Sequence, residues 1–260
     1  MFTYDIKKTK KNKIIIMKHL KKYEGYTYYN DKLNSKFWTN EELDERIRKK
    51  LLSIANDFYQ ETKLTLEIKD ITLTGSLCNY NYNEYSDFDV HIIVDYSELE
   101  GDEKIISDAI NSHRITWNLK HNIKIQGHDV EVYIQDFNDE ARTESGLYSL
   151  LRGEWIKKPV HNTPEIDEEE IEFKFANYKS GINRLVELSD MNMTTDLARH
   201  YYNVSKDLKK KIHGQRKTDL LTDKAEFSVG NLVFKRLRNS GHFGLLIDVV
   251  NKFYDKIYAQ

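Results

Sequence analysis

Three carboxylates and a glycine–serine pair are the residues of this chain best suited to do chemistry. Gly75-Ser76 closes the stretch Ile71-Thr72-Leu73-Thr74, and ten residues separate it from Asp87. Asp87 and Asp89 stand two apart at the head of an apolar run, and Glu131 lies in a third acidic stretch, Asp129-Val130-Glu131-Val132. Carboxylates two apart on a strand project from one face. Hard oxygen donors of this kind suit Mg²⁺ or Mn²⁺, and two such ions stabilise the attacking and leaving oxygens of an in-line phosphoryl displacement. A glycine where a strand ends lets the backbone approach a phosphate closely, and a serine hydroxyl with adjacent N–H groups can hold the β/γ end of a triphosphate. The set predicts a two-metal phosphoryl-transfer site. Asp87, Asp89 and Glu131 are its catalytic, metal-holding carboxylates, Gly75 and Ser76 its nucleotide-binding turn, and an NTP its substrate. Each part is common alone; the order and spacing make the combination specific.

The elements that must position these residues are readable from periodicity. Leu64 to Thr74 reads as a strand ending at Gly75, and Asn79 to Ser86 as a polar loop. From Asp87 to Asp95 the alternation is sharp, with Phe88, Val90, Ile92 and Val94 on one face and Asp87, Asp89, His91 and Asp95 on the other, Ile93 among them. Asp102 to His121 reads as a helix and Lys124 to Gln135 as a strand bent near Gly127. Upstream, Thr39 and Glu42 have the spacing of a capping box. They precede the stripe Leu43, Ile47, Leu51, Ile54 and Phe58, which predicts an amphipathic helix over 41–60. Ile14 to Met17 reads as a short strand or part of a helix, and Gly146 to Trp155 as a short helix. Beyond Pro164 the apolar spacing turns helical, over about 167–189, 195–213, 225–238 and 242–258.

At 260 residues the chain has room for one large domain or two modest ones. Its two prolines, Pro159 and Pro164, fall together and mark the boundary. The expected organisation is an N-terminal extension over 1–40, an α/β catalytic domain over 41–160 and a helical domain over 161–260. The expected class is therefore α+β, a mixed sheet with flanking helices followed by a helical appendage. A net charge of −2 gives no bulk argument for nucleic acid, although Lys7 to Lys22 and Lys206 to Lys217 are basic and Glu165 to Glu172 is acidic. No apolar run has membrane-spanning length, and the first residues lack the pattern of a secretory signal. A single cysteine, Cys78, agrees with a reducing cytoplasm. No membrane partner is expected.

Leu73-Thr74-Gly75-Ser76, ten residues, Asp87-x-Asp89 and then Val130-Glu131-Val132 resemble the polymerase β nucleotidyltransferase superfamily. Kanamycin nucleotidyltransferase, CCA-adding enzymes and the small MNT-type proteins belong to it. The resemblance implies that Asp87 and Asp89 are the paired metal ligands, Glu131 the third carboxylate, and Gly75 and Ser76 the phosphate-binding turn. Asp129 shares a strand face with Glu131 and is a second candidate for the third position. From Leu33 onward the chain is similar to proteins encoded in phage genomes and described only as nucleotidyltransferases. The stretches 33–38, 127–131, 148–151 and 227–235 carry that similarity. It implies a bacterial host cytoplasm and no particular acceptor.

Other residues have plainer readings. His91 is expected to orient a carboxylate, and Cys78 to be a small buried side chain. His121 and His128 lack the partners of a zinc site, and Trp38, Trp117 and Trp155 read as core or interface anchors. Lys206, Lys209, Lys210, Lys235, Arg236 and Arg238 are candidates for a cation that balances the triphosphate, each with a solvated helix face as the plainer alternative. Three functions compete. The first is an enzyme moving an NMP from an NTP, with release of pyrophosphate, to a hydroxyl of an RNA 3′ end, a protein side chain or a small molecule. The second is a non-catalytic, antitoxin-like nucleotide-binding partner. The third is an RNA-binding protein with lysine-rich clamps. The complete carboxylate set favours the enzyme.

Overall fold

The computed structural model describes residues 29–139, 146–161 and 165–258. These fall into two compact units that divide between 161 and 165. The stretch Ile14 to Met17 and the lysine run 7–22 lie outside the described residues.

In the first unit the first strands among the described residues form a small hairpin, β1 (Trp38–Thr39) against β2 (Glu42–Leu43). Its two connecting residues, Asn40 and Glu41, both have positive φ, the conformation that matches the twist of the flanking strands. Thr39 and Glu42 are therefore strand partners and do not form a capping box. Asp44 takes the capping role instead, its carboxylate accepting from the Arg46 and Ile47 N–H groups, and helix α1 runs from Glu45 to Thr62. The α1 face that carries Ile47, Leu51, Ala55 and Phe58 is buried against the sheet.

The remaining strands are β3 (Asp70–Thr74), β4 (Phe88–Val94), β5 (Lys124–Ile125), β6 (His128–Asp136), β7 (Leu147–Ser149) and β8 (Glu154–Lys157). They form one mixed sheet in the order β5-β6-β4-β3-β7-β8. Only β4 and β6 run parallel, joined through helix α2 (Glu103–Lys120), which Asp102 caps. Phe88, Val90, Ile92 and Val94 are fully buried on one sheet face, as their alternation predicts. The strand predicted over 64–74 is shorter, because 64–69 is irregular apart from the Lys69 N–H bond to the Ile93 carbonyl.

The short helix expected over 146–155 is instead the hairpin β7–β8, with β7 paired to β3. Leu147, Leu150 and Leu151 mimic a helical stripe, but Leu150 is buried while Leu151 is exposed, so they share no face. Pairing along β3 satisfies the backbone there, and Gly153 takes the positive φ of the turn.

The second unit is helical: α3 (Glu168–Ser189), α4 (Thr195–Asp219), α5 (Val229–Asn239) and α6 (His242–Tyr258), with a short 3₁₀ turn at Ala225–Phe227. The acidic run 165–172 sits at the start of α3, where carboxylates oppose the positive end of the helix dipole. Glu168 and Glu172 also pair with the buried Arg236 of α5, at 2.5 and 2.6 Å. The molecule is thus an α+β chain with a six-stranded mixed sheet and, among the described residues, six α-helices. No described helix is long and apolar enough to cross a membrane.

Candidate active site

Strand register sets the site. On the sheet face opposite Val90 and Val132, Thr74 of β3, Asp89 of β4 and Glu131 of β6 occupy directly paired positions, forming one row across three strands. The row below it is Thr72, His91 and Tyr133. Neighbouring strands lie about 4.8 Å apart, so the row brings two carboxylates side by side. Asp87 precedes β4 by one residue and has the parity of Asp89, which puts all three predicted carboxylates on one face.

Gly75 follows β3 with φ +79°, a conformation that side chains disfavour. It meets a second demand as well, since a Cβ at this position would collide with the Asp89 carboxylate. The phosphate-turn candidate and the metal-ligand candidate are therefore in contact. After Gly75 the chain makes a 3₁₀ turn, Ser76–Cys78. The Ser76 and Ser86 hydroxyls lie 2.8 Å apart, and Ser86 Oγ also accepts from the Asn83 N–H at 3.0 Å. His128 Nδ1 donates to the Ser86 carbonyl at 2.5 Å. This chain of bonds ties the turn to the residue before Asp87 and to the first residue of β6. The loop after the turn is pinned by Asn30, whose side-chain amide donates to the Tyr80 and Tyr82 carbonyls at 2.9 and 2.8 Å. Trp38 anchors the turn from behind, its indole N–H donating to the Leu77 carbonyl at 2.8 Å.

Glu131 accepts a short hydrogen bond from the Tyr133 hydroxyl. Burial, reinforced by the charges of Asp89 and Glu131, pushes the Tyr133 phenol well above its usual range, so it remains a donor. His91 stacks on the Tyr133 ring at 4.8 Å with 20° between planes, and its Nδ1 lies 2.8 Å from Gln135 Oε1. Burial lowers its basicity, against the opposing effect of Gln135. The expected direct contact of His91 with a carboxylate is replaced by contacts that run through a tyrosine, which itself holds the carboxylate. The Arg114 guanidinium of α2 lies 4.8 Å from the centre of the same Tyr133 ring.

Asp129, the second candidate for the third carboxylate, points away to an exposed ion pair with Lys124 at 2.6 Å. Cys78 is fully buried, and burial, with the nearby charge of Asp89, pushes its thiol up, so it offers no thiolate. Lys235 pairs with Glu226 at 3.1 Å and Arg236 with Glu168 and Glu172, so both cations are engaged within the helical unit. Lys206 lies over the Tyr202 ring. Tyr133, Gln135 and Ser86 do not stand out in the sequence. Tyr133 and Gln135 nevertheless share the parity of Glu131, and that signal is sufficient to find them.

Asp87, Asp89 and Glu131 fit a hard divalent ion in donor type and in backbone placement. Among the described residues, no three His, Cys, Asp or Glu side chains stand close enough together to hold one as they are placed. No family model, no curated protein and no solved structure matches the chain.

Proposed function

We propose that this protein is a nucleotidyltransferase of the polymerase β type, moving an NMP from an NTP to a hydroxyl acceptor and releasing pyrophosphate. One observation carries the reading: Thr74, Asp89 and Glu131 share a row across three strands, and Asp89 lies against the glycine that ends β3. Asp87, Asp89 and Glu131 would hold Mg²⁺ or Mn²⁺, which, when bound, offsets the charge on the attacking and leaving oxygens. Gly75 admits a phosphate close to the backbone, and Ser76, held in place by Ser86, supplies a hydroxyl for the β/γ end. Glu131 accepts a hydrogen bond from the Tyr133 hydroxyl. The acceptor is an RNA 3′ end, a protein side chain or a small molecule.

The test is transfer from each α-labelled NTP, with Mg²⁺ or Mn²⁺, into a total extract of RNA, protein and small molecules. Asp87→Asn and Asp89→Asn should each abolish labelling while leaving far-UV circular dichroism and melting temperature close to wild type. Unfolding of either variant would make these carboxylates structural. That no three such side chains stand close together among the described residues favours one second reading, a module that binds nucleotide without transferring it. Saturable NTP binding with no labelling of any acceptor class would decide for that alternative.

A further inference from the structure

Resting on the nucleotidyltransferase reading, we infer that Tyr133 is a positioning residue for Glu131 and that His91 and Arg114 form the clamp that holds it. The hydroxyl of Tyr133 donates to the Glu131 carboxylate two residues earlier on the same strand face. That bond is useful only if the ring cannot swing away, and two side chains hold the ring. On the β4 side, His91 is its direct strand partner and stacks at 4.8 Å, with its own ring fixed by Gln135. From α2, Arg114 places its guanidinium 4.8 Å from the ring centre. Arg114 is in turn held by a bond from its Nε to Asn111 Oδ1 at 3.1 Å.

Asn118, one helical turn further along α2, fixes the helix to this edge. Its amide donates to the Val132 carbonyl at 3.2 Å and its oxygen accepts from the Val132 N–H at 3.3 Å. The helix that joins the two carboxylate-bearing strands thus also sets the tyrosine that aims one of them. Carboxylates that bind ions are commonly held by such outer hydrogen bonds, and losing one weakens ion affinity about 10- to 100-fold.

The test uses the full chain and Mn²⁺ alone, with free Mn²⁺ followed by electron paramagnetic resonance and folding by thermal melting. Wild type should bind Mn²⁺, and Asp89→Asn should lose that binding. Tyr133→Phe keeps the ring, the stack and the cation contact and removes only the hydroxyl. It should weaken Mn²⁺ binding by about 10-fold with a melting temperature close to wild type, a combination that a purely structural tyrosine would not give. Arg114→Met should weaken binding in the same direction by a smaller factor, and it carries the test if Tyr133→Phe fails to fold. Wild-type affinity in a folded Tyr133→Phe, or in Arg114→Met if that variant carries the test, would overturn the positioning role alone. Absence of Asp89-dependent Mn²⁺ binding in the wild type would overturn the nucleotidyltransferase reading and this inference with it.

Discussion

Gly75 illustrates how a single residue can answer two constraints at once. Its φ of +79° is open to other residues only at a cost, and the space its side chain would need is occupied by Asp89. Gly153 offers the control, since its φ is +71° but the nearest atoms that a Cβ there would meet are those of Arg48, at 3.8 Å. Gly153→Ala should therefore cost about 1 kcal/mol, the backbone term alone. Gly75→Ala should cost more, about 2–3 kcal/mol in denaturant unfolding, and should abolish transfer by displacing Asp89. Equal destabilisation by the two substitutions would mean that Asp89 yields freely, and that the contact is incidental.

The carboxylates are legible in the sequence because strand alternation is an unambiguous parity code. Asp87, Asp89 and Glu131 fall opposite Phe88, Val90 and Val132, whose burial is complete. What parity does not encode is the direction of each side chain beyond its face. Glu131 meets a tyrosine on its own strand, Asp129 meets Lys124 across a hairpin, and only the folded register distinguishes them.

At the scale of elements, the site depends on two adjacent parallel strands in an otherwise antiparallel sheet. Parallel neighbours require a crossover, and α2 supplies it while also closing the outer edge of β6. The Asn118 side chain meets both the N–H and the C=O of Val132 as a neighbouring strand would. Asn118→Ala should leave both groups to solvent, destabilise the unit by about 1–2 kcal/mol, and speed hydrogen exchange at the Val132 amide. Unchanged protection at Val132 would show that the carboxamide contributes nothing to the edge. Long elements declare themselves: α2, β4 and the four later helices follow their apolar spacing. Short ones do not. Ten residues at 146–155 satisfy helical spacing by chance, and their true role as a hairpin depends on the free edge of β3, which is distant in sequence. The Thr39–Glu42 spacing misleads for a similar reason, because Asn40 and Glu41 turn the chain back before α1 begins.

For the molecule as a whole, one acid-sensitive group stands out in the helical unit. His242, at the start of α6, is buried, and its Nδ1 lies 2.8 Å from Ser240 Oγ. Burial, with a smaller effect of the Lys179 charge, lowers its pKa to about 4. The unfolded chain, with an ordinary histidine near 6.5, binds the proton first as pH falls. His242 thus contributes stability that is complete above about pH 6.5 and is lost progressively towards pH 4, amounting to roughly 2–3 kcal/mol. The melting temperature of the wild type should fall between pH 7 and pH 5 by several degrees more than that of His242→Asn. Parallel melting curves for the two proteins would show that His242 does not carry the acid sensitivity.

The alternation along β4 and β6 has an evolutionary corollary. Each carboxylate is flanked by residues that build the core, yet none of the carboxylates is itself part of that core. If the proposed function holds, a lineage could exchange one acid for its amide and keep the same scaffold, turning a catalyst into a receptor for its former substrate in one mutational step. The reverse step is equally short. A shift of one position along either strand has no such neutral route, because it would drive charge inward and apolar groups outward together. Descendants of this chain should therefore differ freely in which of these acids they keep, and hardly at all in the frame that carries them.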